Sequence, residues 1–132
     1  MRRAIVLAGG LGTRLRPATG DLPKPLVQVA GRPLVAHQIC RLAEAGIPDI
    51  IIATGYGAAP VEASLGSGQQ WGATLRYSAE ASPRGTAGAL ALAAKGRVSA
   101  ADSVVVVNGD LLSRHDLTDQ LDAFEASGAD AS

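Results

Sequence analysis

A glycine-rich segment close to the amino terminus is the first place where this sequence could perform chemistry. The apolar run Ala4-Ile5-Val6-Leu7 leads into Gly9-Gly10-Leu11-Gly12-Thr13-Arg14. Glycines let backbone N–H groups approach an anion closely, and phosphate is the natural ligand of such a loop. A P-loop would end in Gly-Lys-Ser/Thr, and a dinucleotide fingerprint would need a small residue where Leu15 stands. Both patterns are missing, which leaves a phosphate site of another kind or a purely structural turn.

Two cations follow the glycines, each close to a proline. Arg14 precedes Pro17, and Lys24 stands between Pro23 and Pro25. Prolines restrict the backbone, so two long cationic side chains can be presented at defined positions. Triphosphate chemistry needs such fixed positive charge on the α-phosphate and on the leaving pyrophosphate. An isolated surface cation is usually only solvated, so the interpretation depends on the whole pattern; Arg16 is equally well read as a neighbouring salt-bridge residue.

An acidic residue follows a second apolar run. The valines of residues 104–107 lead into Asn108-Gly109-Asp110. A carboxylate at the carboxyl end of a buried strand lies where open α/β sheets bind ligands. The alternative is that Asn108-Gly109 forms a hairpin turn. Against the hairpin, only Leu111 and Leu112 precede a polar stretch, which is too short for a returning strand.

A third segment joins a predicted strand to a predicted helix. It reads Glu80-Ala81-Ser82-Pro83-Arg84-Gly85-Thr86. Its glycine would let a nucleotide lie against the backbone, and the free N–H groups of a helix start can act as donors. The Glu80 carboxylate can only accept hydrogen bonds, which suits the paired donors of guanine and also the single imide N–H of uracil or thymine. A plain surface glutamate is the alternative.

Alternating strand and helix patterns would position these residues. Apolar β-branched runs are typical of buried parallel strands, and apolar spacings of three and four residues are typical of helices. The pattern predicts an α/β protein. Strands are predicted at residues 5–7, 50–54, 74–78 and 104–107; helices are predicted around Val35, Ile39 and Leu42, around Val61 and Leu65, over residues 85–95, and around Leu117, Leu121 and Phe124 after the cap Asp116.

The composition excludes several classes of protein. The 132 residues fit one domain, and 47% hydrophobic against 3% aromatic residues favour an aliphatic α/β core. Twelve acidic and twelve basic residues give no general attraction to nucleic acid or to an anionic membrane. Without a transmembrane stretch or an h-region we expect a cytoplasmic protein. The single cysteine, Cys40, is expected in the core, and His37 and His115 are expected to be structural.

The ordered motifs resemble those of the sugar-1-phosphate nucleotidyltransferase family. The family signature LAGGxGTRLxP corresponds to residues 7–17, its PKPL to residues 23–26, and its G-x-P-L helix start to residues 31–34. The resemblance extends over nearly the whole chain and is closest to the mannose-1-phosphate guanylyltransferase-like members. It implies a three-layer α/β/α, Rossmann-like, mostly parallel sheet. Residues 1–132 would form the amino-terminal, nucleotide-binding part of the domain, truncated at its carboxyl end.

The same resemblance implies roles for individual residues. Arg14 and Lys24 would be catalytic, and Asp110 would bind Mg²⁺, a hard cation that is held by one or two carboxylates and by substrate phosphates. The nucleotide would contact Leu7, Ala8, Gly9, Gly10, Gly12, Thr13, Glu80, Pro83, Gly85 and Thr86.

The implied reaction is nucleotidyl transfer from a nucleoside triphosphate, with GTP favoured, to a mannose-like sugar 1-phosphate. UTP or dTTP as donor is one alternative, and a non-catalytic nucleotide-binding module is another if the chain ends at Ser132. A molybdopterin-type guanylyltransferase shares a similar glycine loop, but Pro17 and Lys24-Pro25 argue against it. No nucleic-acid or membrane partner is expected, and homo-oligomerisation is left open.

Overall fold

The computed structural model describes residues 2–8, 24–54, 59–79, 85–109 and 116–130. Within these ranges the strands are β1 (Arg2–Leu7), β2 (Gln28–Val29), β3 (Arg32–Pro33), β4 (Asp49–Ala53), β5 (Thr74–Ser78) and β6 (Ser103–Asn108). The α-helices are α1 (Leu34–Glu44), α2 (Ala59–Leu65), α3 (Gly85–Ala94) and α4 (Leu117–Ser127), and 3-10 helices span Lys24–Leu26 and Gln69–Trp71.

The described strands form a parallel sheet in the order β5-β4-β1-β6 and a separate antiparallel pair, β2-β3. In the parallel sheet, Leu7 at the end of β1 is in register with Ala53 of β4 and with Asn108 of β6. The chain builds outward from β1 through β4 to β5, then returns to the other side of β1 with β6. The strand order therefore reverses at β1, and the carboxyl ends of β1 and β6 lie side by side, where open sheets of this kind bind their ligands.

Side chains of the central strands alternate between two apolar layers, as the two-residue repeat of a strand requires. On one face, Val6 and Ile52 belong to a buried cluster that includes residues of α1, α2 and α4. On the other face, Ile5 and Ile51 pack with α3. This arrangement confirms the predicted three-layer α/β/α fold. The isoleucines at 50, 51 and 52 are all fully buried because β4 is covered on both faces.

The predicted helices are confirmed close to their expected limits. In α1, Val35, Ile39 and Leu42 are fully buried on one face. At α4, the Asp116 carboxylate accepts the N–H of Asp119 at 3.0 Å, as expected of an N-cap. Gly128 ends that helix with φ of 68°, a left-handed conformation that glycine adopts without steric cost.

Several expectations need correction. β4 ends at Ala53, not at Thr54, and Lys24 begins a 3-10 helix that was not predicted. The short β2-β3 pair has no periodic signal in the sequence, since each strand has only two residues. Cys40 is half-buried and not part of the core. Its Sγ accepts a hydrogen bond from Arg32 Nη1 at 3.0 Å, because the cysteine lies where α1 meets this strand pair.

An arginine joins strands at the amino edge of the sheet. Arg3 forms an ion pair with Asp49 of β4, and its Nε donates to Asp102 Oδ2 at 3.0 Å, just before β6. The Asp102 side chain is only 8% exposed, so this carboxylate is enclosed by its partners. The contact holds the starts of β1, β4 and β6 together.

None of the helices that the structure describes has the length and apolar character needed to span a membrane.

Candidate active site

The carboxyl ends of β1 and β6 are joined by a backbone hydrogen bond. The N–H of Gly109 donates to the carbonyl oxygen of Leu7 at 2.9 Å. On the other side of β1, the N–H of Ala8 donates to Ala53 at 2.9 Å, and Ala8 is buried. Leu7 and Ala8 therefore hold the start of the glycine loop on the sheet. The N–H of Ala8 is therefore occupied within the sheet.

Gly109 lies in a space that admits no side chain without movement. A Cβ atom built there would stand 3.2 Å from Val35 Cγ2 and 3.3 Å from both Leu7 O and Val6 Cγ1. These distances are shorter than ordinary van der Waals contact, and one of the neighbours is backbone. The glycine thus allows β6 to end directly against β1, and the next residue in the chain is Asp110.

Lys24 is half-buried at the start of its 3-10 helix, followed by buried Pro25 and Leu26. The carbonyl oxygen of Val27 accepts the N–H of Leu34, the first residue of α1, at 2.8 Å. Because α1 connects the parallel strands β1 and β4, it runs opposite to them and begins at the carboxyl edge of the sheet. Lys24 is thereby placed at the same edge as the end of β1.

The end of β5 is held by a buried threonine. Thr54 donates both its N–H, at 2.9 Å, and its hydroxyl, at 3.1 Å, to the carbonyl oxygen of Ser78. Helix α3 connects β5 to the parallel strand β6, so its first residues, Gly85 and Thr86, also lie at the carboxyl edge. Both of these residues are exposed, and Gly85 has φ of 71°.

Of the predicted site residues, the structure brings Leu7, Ala8, Lys24, Gly85 and Thr86 to one edge of the sheet. The remaining predicted residues lie outside the described ranges: Gly9, Gly10, Gly12, Thr13, Arg14, Glu80, Pro83 and Asp110. Each of them follows or joins described residues at that edge. The glycine loop starts after Ala8, the segment 80–84 connects Ala79 to Gly85, and Asp110 follows Gly109.

Among the described residues, the groups with displaced pKa values are not those predicted for the site. The N–H of Ser99 lowers the pKa of Asp102, and a hydrogen bond from Arg2 lowers that of Glu125 while the pKa of Arg2 is raised in return. Burial, and then the charge of a nearby carboxylate, raises the pKa of Tyr77 to about 12. These groups make hydrogen bonds with other residues of the fold.

The described ranges contain no group of three or more His, Cys, Asp or Glu side chains that could hold a metal ion. The donor set proposed for Mg²⁺ is of a different type, one carboxylate completed by substrate phosphates, and this is an ordinary set for the ion. The close packing of Gly109 against β1 is compatible with this role, because Asp110 is the next residue in the chain.

Two residues at this edge of the sheet were not identified from the sequence. Gly109 and Thr54 contact residues of neighbouring strands, Leu7 and Ser78 respectively. The available signal was a small residue at the end of a predicted strand, for Thr54, or shortly after one, for Gly109. That signal is common at strand ends and does not distinguish a site from a turn.

Comparison with known proteins places the chain in a family. Residues 3–132 match the family described as nucleotidyl transferase. The chain is 43% identical over 127 residues to a mannose-1-phosphate guanylyltransferase of Mycobacterium tuberculosis, covering 96% of this chain and 35% of that protein. It is 40% identical over 133 residues to a mannose-1-phosphate guanyltransferase of Pichia angusta, and this match covers 98% of this chain and 36% of that protein. The chain thus spans about a third of the length of these curated relatives.

A solved structure has the same fold over the matched part. A Bacillus anthracis protein assigned as a glucose-1-phosphate thymidylyltransferase, crystallised with sucrose, superposes with a TM-score of 0.87 at 33% identity. The match covers 97% of this chain and 52% of that one. HddC from Yersinia pseudotuberculosis, complexed with GMP-PN, superposes with a TM-score of 0.80 at 31% identity. This match covers 94% of this chain and 54% of HddC. This chain therefore belongs to the nucleotidyl transferase family.

Proposed function

We propose that this chain forms the nucleotide-binding part of an enzyme that transfers a guanylyl group from GTP to a mannose-like sugar 1-phosphate and releases pyrophosphate. The observation that carries the proposal is the convergence of the described anchors, Ala8, Lys24, Gly85 and Gly109, on one edge of the sheet. The mannose-1-phosphate guanylyltransferases of Mycobacterium tuberculosis and Pichia angusta support the choice of donor and acceptor.

The proposed chemistry is an in-line displacement at phosphorus. An oxygen of the sugar phosphate attacks the α-phosphorus while the bond to pyrophosphate breaks, with no covalent enzyme intermediate. The backbone of the glycine loop binds the phosphates, and the charges of Arg14 and Lys24 stabilise the negative charge that shifts to the leaving group. Asp110 would hold Mg²⁺, which when bound neutralises phosphate charge. Much of the acceleration comes from holding two mutually repelling anions in reactive geometry.

Base recognition belongs to the segment between β5 and α3. The Glu80 carboxylate would accept the N1–H and N2–H₂ donors of guanine, and the first N–H groups of α3 would face the nucleotide. The complex of HddC with GMP-PN supports a guanine nucleotide. The Bacillus anthracis structural relative favours a second candidate, thymidylyl or uridylyl transfer, in which the same carboxylate accepts a single imide N–H.

The test is pyrophosphate release by the protein expressed from its complete reading frame. Each of GTP, ATP, UTP and dTTP is combined with mannose, glucose and galactose 1-phosphates in the presence of Mg²⁺. We expect release to be fastest with GTP and mannose 1-phosphate. Preference for UTP or dTTP would select the second candidate. Tight nucleotide binding without release for any pair would identify a non-catalytic binding module.

A further inference from the structure

A histidine of α1 contacts the strand pair that follows Lys24. His37 Nε2 lies 2.6 Å from the carbonyl oxygen of Val29 in β2, and the imidazole is half-buried. A carbonyl oxygen can only accept a hydrogen bond, so Nε2 must carry the proton and donate it. The contact ties a strand outside the main sheet to the first turn of α1.

The segment that carries Lys24 is joined to its own next turn and to α1 by backbone hydrogen bonds. Lys24 O accepts the N–H of Val27 at 3.2 Å, and Val27 O accepts the N–H of Leu34 at 2.8 Å. The buried Leu26 side chain packs in the main core. The β2-β3 pair itself has two residues in each strand, and so small a hairpin is not stable by itself.

The turn between β2 and β3 adds strain. Ala30 has φ of 50° and Gly31 has φ of 83°, and Ala30 is the only described residue other than glycine with a positive φ. Such a conformation persists only where surrounding contacts hold it. The residue before Ala30 is Val29, the acceptor of the His37 bond. His37 is therefore placed to hold the turn, and with it the path of the chain back to Lys24.

We propose that His37 is a positioning residue for Lys24. Its hydrogen bond to Val29 fixes the β2-β3 pair against α1, which sets where the 3-10 helix presents the Lys24 ammonium at the sheet edge. This inference rests on the proposed function, in which Lys24 binds substrate phosphates. Displacing a charged group by about 1 Å can lower a rate by up to 100-fold, so a remote tether can control a phosphate contact.

The hairpin provides a matched control. Arg32 Nη1 donates to Cys40 Sγ at 3.0 Å, which also links the pair to α1, but at the strand that leads away from Lys24. A purely structural role for the hairpin predicts similar effects from loss of either link. Positioning of Lys24 predicts that only loss of the His37 bond changes phosphate chemistry.

The experiment compares His37→Leu, His37→Gln and Cys40→Ala with the parent, each also combined with Lys24→Met, in the full-length protein. His37→Leu should lower kcat at least about tenfold with a small change in KM. His37→Gln, which keeps an N–H donor, should recover much of this loss, and Cys40→Ala should stay within about twofold. In the Lys24→Met background, His37→Leu should change kcat by no more than about twofold.

Three outcomes would overturn the inference: unchanged kcat in His37→Leu, an equal loss in Cys40→Ala, or an undiminished His37→Leu effect in the Lys24→Met background. A second readout does not need turnover. Acetylation of Lys24 by an amine-reactive ester, followed by mass spectrometry, should be slowed by GTP with Mg²⁺ in the parent and much less in His37→Leu.

The two readouts separate this inference from the proposed function. A parent that releases no pyrophosphate contradicts the transfer reaction, and Lys24 acetylation then decides the inference alone. Protection by GTP with Mg²⁺ that is lost in His37→Leu supports it, whereas the same acetylation rates in both proteins overturn it. A parent that is active but insensitive to Lys24→Met keeps the reaction and overturns the positioning role.

Discussion

The N–H of Gly109 donates to the carbonyl oxygen of Leu7 at 2.9 Å, and this bond joins the ends of β1 and β6 at the candidate site. The glycine loop begins two residues after Leu7, and Asp110 directly follows Gly109. The bond thus fixes the two strand ends from which the chain continues into the proposed phosphate loop and the proposed metal ligand.

Replacement of Gly109 by alanine should move these two segments apart. The added Cβ would meet Val35 Cγ2 at 3.2 Å and Leu7 O at 3.3 Å. We expect destabilisation of about 1–3 kcal/mol by urea unfolding, as for other overpacked sites. Pyrophosphate release should fall by at least about tenfold, because the reacting groups are misplaced. Adding Val35→Ala removes one clashing methyl, so the double variant should be less destabilised than the sum of the two singles; strict additivity would contradict the steric explanation.

Replacement of Asp110 by asparagine should remove Mg²⁺-dependent turnover and leave the fold intact. The amide keeps the size of the side chain but loses the charge that a hard cation requires. We expect a loss of kcat of at least about 100-fold with a melting temperature within about 4 °C of the parent. Asp130→Asn, at an exposed position near the end of the chain, serves as control. Near-normal activity of Asp110→Asn across a Mg²⁺ titration would exclude the metal assignment.

Replacement of Arg14 by alanine should slow the chemical step far more than it destabilises the protein. The guanidinium is proposed to stabilise charge on the transferring phosphates, and loss of one such donor typically costs about 100-fold to 1,000-fold in kcat. Arg14→Lys should have an intermediate rate constant, because the lysine ammonium is a point charge and cannot form the two parallel hydrogen bonds of a guanidinium to phosphate. Arg16→Ala is the neighbouring control. The measurement is single-turnover nucleotidyl transfer, and an unchanged rate constant in Arg14→Ala would count against a catalytic role for the loop.

The ion pairs at the amino edge should make stability depend on acidic pH. The pKa values of Asp102 and Glu125 lie below their ordinary values of 3.8 and 4.5. As the pH falls, these two carboxylates are therefore protonated at a higher pH in the unfolded chain than in the folded protein. These carboxylates contribute their full stability above pH 4.5 and lose it as the pH falls through their lower folded pKa values.

Urea unfolding at a series of pH values measures this dependence. The free energy of unfolding should fall in the acid range, and Asp102→Asn should reduce the slope. Ala63→Ser, a change at an exposed residue of α2 that adds no titratable carboxylate, should leave the slope unchanged. An identical acid slope in the parent and in Asp102→Asn would show that the contact with Arg3 and Ser99 does not bias protonation.

Tyr77 should ionise well above the usual range. Its hydroxyl donates to Gly66 O at 2.5 Å, and burial together with the charge of Glu62 raises its pKa from 10.0 to about 12. The neutral phenol is favoured in the folded state, so its contribution to stability is full below pH 10.0 and is lost as the pH rises through about 12.

Phenolate absorption during an alkaline titration tests this assignment. The chain has two tyrosines, so the folded parent should show a second, late step that disappears in Tyr77→Phe. Tyr77→Phe also keeps the ring that packs against the core, which makes it a conservative control. A parent in which both tyrosines ionise together near pH 10 would contradict the enclosed environment.

The main elements could be predicted because their signals are local. Three adjacent isoleucines at 50–52 predict a strand buried on both faces, and the spacing of Val35, Ile39 and Leu42 predicts one face of a helix. The cap at Asp116 likewise depends only on a neighbour three residues along the chain. The family resemblance depended on the order of short motifs, which the sequence also contains in full.

What the tertiary structure decided is the set of contacts between distant residues. That β6 lies beside β1, that Gly109 meets Leu7, and that His37 reaches back to Val29 follow from strand order and packing. Two-residue strands have no period to detect, and the burial of a side chain such as Thr54 depends on neighbours distant in sequence. The sequence by itself determined the kinds of chemistry and the elements that carry them. The shared edge where the described anchors meet was decided by the fold, because only the arrangement of parallel strands brings their carboxyl ends together.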